Sequence, residues 1–69
     1  MAFISFLGKY AGRSASEWAQ RAAEWAAQGG HNSNVRDCCY NAAKAALGNG
    51  ATWDAIKKYA EKLIHSLIG

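Results

Sequence analysis

At 69 residues the chain forms one domain, residues 1–69, with room for only a small core, because a chain of this size buries about 60% of its unfolded surface. Fifteen alanines, no proline and few β-branched residues favour helix almost throughout and predict an all-α protein. Eight Lys and Arg against five Asp and Glu leave a charge of +3, without the dense basic clustering of a nucleic-acid binder and without any apolar run of about 18 residues that could span a bilayer.

Residues 1–10 place Phe3, Phe6, Leu7 and Tyr10 on one helical side, with Ile4 beside them and Ser5 and Lys9 as the clearly polar positions. This short apolar helix either packs on the rest of the molecule or opens outward into a bilayer. It is too short for a signal-peptide core and has no basic flank before it, so the chain is expected either to stay in the cytoplasm or to leave through a dedicated exporter without a signal peptide. Gly12 ends it.

Ser14 and Glu17 form a capping box, in which hydroxyl and carboxylate each satisfy an amide of the first turn, so a second helix is expected over Ala15–Gln28. Ala15, Ala19, Ala22 and Ala26 make a smooth strip that allows close helix approach, and Trp18 and Trp25 lie seven residues apart along its edge. Arg21 sits between the indoles within cation–π reach. The two Trp either fill gaps left by the small alanines or anchor the chain at a membrane–water boundary, which indoles favour.

Gly29-Gly30-His31-Asn32-Ser33-Asn34 is the longest break, with Asn32 or Ser33 expected to cap a third helix that runs to about Leu47 and stops at Gly48-Asn49-Gly50. Val35, Cys39, Ala42 and Ala46 form its inward stripe, while Arg36, Asp37, Asn41 and Lys44 face away. Tyr40 and Leu47 fall on that polar side and are expected to be exposed or reserved for a partner. Adjacent Cys38 and Cys39 cannot readily pair with each other, because neighbouring Cα atoms are fixed at about 3.8 Å and a disulfide needs 4.4 Å or more. They read as buried small hydrophobes, with intermolecular disulfides or oxidation as the alternative.

The last helix carries the strongest pattern. Trp53, Ile56, Ala60, Leu63, Ile64 and Leu67 recur at three- and four-residue steps, and Asp54, Lys58, Glu61, Lys62 and His65 gather opposite. Thr52 is a suitable N-cap, and Asp54–Lys58 and Lys57–Glu61 are spaced for weak ion pairs along the helix. His31 reads as a loop residue and His65 as a solvated one. Two Cys without a second spaced pair give no metal pattern, no nucleophile–base constellation or phosphate loop is visible, and so no enzyme, cofactor or small-molecule substrate is expected.

Gly50-Ala51-Thr52-Trp53-Asp54-Ala55-Ile56-Lys57-Lys58, followed by Lys62-Leu63-Ile64, resembles the C-terminal half of the aureocin- and lacticin-type leaderless bacteriocins. The opening of Met1, Phe3, Phe6, Leu7, Lys9 and Tyr10 is similar to that family's start, so the resemblance covers the two ends, about half of the chain. It implies a saposin-like compact bundle of four short helices and a secreted antibacterial peptide that permeabilises bacterial membranes without a protein receptor. Lys9, Arg13, Arg21, Lys44, Lys57, Lys58 and Lys62 would then meet anionic lipid, and Phe3, Phe6, Trp18, Trp25 and Trp53 would embed, with self-association a further expectation. The chain departs from the family in its Ala-rich middle, its five acids and its two Cys. An alternative of another class is an intracellular helical module, such as a phage- or plasmid-encoded inhibitor, that docks Tyr40 and Leu47 on a partner protein.

Overall fold

The computed structural model describes residues 14–69, which form α1 (Ala15–Gln28), α2 (Asn32–Leu47) and α3 (Trp53–Ile68). The helix expected over residues 1–10, together with Phe3, Phe6, Lys9 and Arg13, lies outside the described residues. Within them the structure is all-helical.

Two of the three helix starts follow the local chemistry of the sequence. At α1 the Glu17 amide donates to Ser14 Oγ at 3.3 Å and the Ser14 amide donates to Glu17 Oε1 at 2.8 Å, completing the box. At α3 the Ala55 amide donates to Thr52 Oγ1 at 3.2 Å. The start of α2 departs from expectation: the cap position is His31, and no side chain caps the first turn. Gly29 and Gly30 both adopt positive φ, 72° and 74°, which brings the chain round within two residues and lets Asn32 and Ser33 enter the helix itself. The His31 ring meanwhile lies against the Trp25 indole, with centroids 4.9 Å apart, instead of folding over the amides of the first turn.

The middle helix organises the packing. α2 packs extensively on both α1 and α3, whereas α1 and α3 meet only marginally. A helix with neighbours on two sides needs a wider apolar arc than one with a single neighbour. On α2 that arc comprises Val35, Cys38, Cys39, Ala42 and Ala43, all buried. Ala46, expected inward, is instead exposed with the whole last turn of α2 from Lys44 to Leu47, where the flanking helices no longer cover it.

The buried set is completed by Trp18 and Ala22 of α1 and by Ala60 and Ile64 of α3, with Trp25, Ile56, Leu63, Leu67 and Ile68 partly buried around it. Ala22, Ala43 and Ala60 are fully buried, one on each helix, and the largest fully buried side chains are only Val35 and Cys39. The core is therefore thin, and it closes because small residues let the helix axes approach rather than because large side chains fill the space between them.

Candidate membrane-contacting surface

The three tryptophans occupy three different environments. Trp18 is 7% exposed and belongs to the core. Trp25 is half-buried near the end of α1, with the Arg21 guanidinium 5.3 Å from its ring centroid and His31 on it as well. Trp53 is 59% exposed, although the periodicity of α3 puts it on the apolar face. As the first residue of α3 it is not enclosed by α2, and it only leans on the Tyr40 ring of that helix, with centroids 5.4 Å apart and planes 25° apart.

The basic residues divide in the same way. Arg21 donates to Glu24 Oε1 at 3.0 Å, and Arg36 donates to Glu61 Oε2 at 2.9 Å. Glu61 thus serves α2 rather than Lys57 on its own helix, contrary to the pairing its spacing suggests. The ion pairs between described residues engage these two arginines and leave Lys44, Lys57, Lys58 and Lys62 exposed outside them. Asp54, Lys57, Lys58, Glu61, Lys62 and His65 line one broad surface depression along α3. The structure therefore joins Lys57, Lys58 and Lys62 on one face, sets Lys44 on the exposed end of α2, and keeps Arg21 apart on α1.

Tyr40 is the residue whose role the pattern did not reveal. Its hydroxyl donates to Glu61 Oε2 at 3.2 Å, the same oxygen that accepts from Arg36, and its ring supports Trp53. It thereby fastens α2 to α3. Loss of water around the phenol, followed by the hydrogen bond to the Glu61 carboxylate, raises its pKa above the ordinary value of 10.0.

Both cysteines are free thiols and buried. Burial, then the neighbouring Cys38, pushes the Cys39 thiol up to about 11, so it stays protonated at neutral pH and is a poor nucleophile. Among the described residues no group of three His, Cys, Asp or Glu side chains could hold a metal ion, and no helix is long and apolar enough to cross a membrane. What the described surface offers is the four exposed lysines and one outward indole, interspersed with the carboxylates of Glu17, Glu24, Asp37, Asp54 and Glu61. Compared with protein-family models, curated proteins and solved structures, the chain matches none of them.

Proposed function

We propose that the protein is a secreted antibacterial peptide that binds anionic bacterial membranes and permeabilises them, with residues 1–10 supplying a fourth helix to a saposin-like bundle. The observation that carries this reading is the division of the cations: the arginines Arg21 and Arg36 are held in ion pairs, while Lys44, Lys57, Lys58 and Lys62 stand exposed outside them and Trp53 faces outward. Each basic residue at an anionic lipid surface contributes about 1 kcal/mol of attraction. Burying a large apolar side chain there adds about 1.5–3 kcal/mol. Attraction and shallow anchoring are thus both available from the folded surface.

Permeabilisation asks for more. Trp18 reaches lipid only if α1 parts from α2, and the small core of alanines and cysteines makes that separation less costly than in a core of large side chains. Trp25, Phe3 and Phe6 would follow it, with Lys9, Arg13 and Arg21 over the headgroups. Dye release from phosphatidylglycerol vesicles at micromolar protein, with little from phosphatidylcholine vesicles, and growth inhibition of Gram-positive cells are the expected results. Intact vesicles of both kinds at those concentrations would remove the proposal. The alternative docking module retains only part of its surface, since Tyr40 is engaged by Glu61 and Trp53 and leaves Leu47 as the outward residue of the pair.

A further inference from the structure

Two of the three large apolar side chains that are most exposed among the described residues bracket the same turn. Leu47, 40% exposed, ends α2, and Trp53, 59% exposed, begins α3. The five intervening residues make a tight connection, in which the Ala51 amide donates to the Gly48 carbonyl at 3.3 Å. Lys44 lies one turn before Leu47, and Lys57 and Lys58 lie about one turn after Trp53; all three are exposed, against the single exposed carboxylate of Asp54 in that stretch. Behind them, Glu61 is neutralised by Arg36 and so subtracts little from the local positive charge.

The size of the patch argues for lipid over protein. A partly exposed indole and a partly exposed leucine present on the order of 200 Å². A stable protein interface covers about 800 Å² on each partner. Shallow insertion at a membrane surface needs only a few apolar groups beside cations, which is the composition found here. The Trp53 ring is also braced by Tyr40, whose hydroxyl is held in turn by Glu61, so less side-chain freedom is lost when the indole enters a new environment.

We propose that the folded protein docks on an anionic bilayer by the end that carries the α2–α3 turn, with Trp53 and Leu47 in the boundary between headgroups and acyl chains and Lys44, Lys57 and Lys58 over the lipid phosphates. Trp18 remains in the core in this docked state. The proposal rests on the membrane reading above and names the surface that makes first contact.

The test uses the full chain, at protein concentrations below those that release dye, and mixed phosphatidylglycerol–phosphatidylcholine vesicles with bromine-labelled acyl chains, which quench only indoles that reach them. Emission of the unsubstituted protein is quenched. Trp53→Phe keeps a ring against Tyr40 and its melting temperature, yet loses most of that quenching, whereas Trp25→Phe retains it. Leu47→Ser, an exposed substitution, lowers vesicle partitioning about threefold, and Lys57→Gln lowers it about fivefold in low salt, as expected for loss of one basic residue at the surface. Quenching that survives in Trp53→Phe, or vanishes in Trp25→Phe, overturns the docking end while leaving membrane binding intact. No partitioning of the unsubstituted chain onto phosphatidylglycerol vesicles overturns the membrane reading and this proposal together.

Discussion

Tyr40 donates its hydroxyl proton to Glu61 Oε2 across the α2–α3 contact at 3.2 Å, although the two residues stand 21 positions apart in the chain. The same carboxylate oxygen accepts from Arg36, so one acid on α3 ties down two residues one turn apart on α2. Tyr40→Phe keeps the ring against Trp53 and removes only the bond. The expected loss is about 1 kcal/mol of stability, or roughly 4–8 °C in melting temperature for a domain of this size. Arg36→Gln should cost less, about 0–1 kcal/mol, because both ends of that ion pair are substantially exposed. Thermal melts of the two variants and their double mutant measure the coupling at Glu61; a Tyr40→Phe chain that melts with the unsubstituted one would mean that water replaces the bond without loss.

Alkaline pH acts on the same region. The folded state raises the pKa of Tyr40, through lost hydration and then Glu61, and that of Cys39 from 9.0 to about 11, chiefly through burial. Both groups hold their protons more tightly folded than unfolded, so the Cys39 contribution is fully present below about pH 9 and is lost as pH rises through about 11, and that of Tyr40 is present below its ordinary value of 10.0 and declines above it. The melting temperature should fall steadily across that interval. Cys39→Ala should flatten part of the decline and Tyr40→Phe another part; a profile that stays level to pH 11 would contradict both shifts.

Thiol chemistry gives an independent check on the core. Cys38 and Cys39 are 7% and 0% exposed, and the Cys39 thiol is neutral at pH 8. A thiol-exchange reagent at that pH should therefore modify the native protein far more slowly than the denatured one, with the native rate limited by opening of the α2 contacts. Reaction of the native chain at the denatured rate would place the sulfurs at the surface.

The close helix approach can be tested by size. Ala22 and Ala60 are fully buried where α1 and α3 lean on α2, so Ala22→Leu or Ala60→Leu should destabilise by about 1–3 kcal/mol or more through overpacking. Ala45→Leu, on the exposed last turn of α2, should stay within about 0.5 kcal/mol of the unsubstituted protein. Equal effects at buried and exposed sites would mean that the helices do not meet through their alanines. Chemical denaturation of the three variants distinguishes the outcomes.

By itself the sequence determined what is local. Ser14 with Glu17, Thr52, and the Gly-containing breaks set the ends of the helices, because capping hydrogen bonds and positive φ involve residues within a few positions of each other. Periodicity likewise separated the lysines of α3 from Ala60 and Ile64, and marked Val35, Cys39 and Ala42 as inward.

Only the tertiary structure decided which helix lies in the middle. From that follow the widening of the α2 face to Cys38 and Ala43, the engagement of Tyr40, and the different burial of Trp18, Trp25 and Trp53. The physical reason is that periodicity gives each helix an apolar side but not the number of neighbours that side must cover or where along its length they end. A hydrogen bond such as Arg36 to Glu61, spanning 25 positions, exists only once two helices have been brought to one crossing.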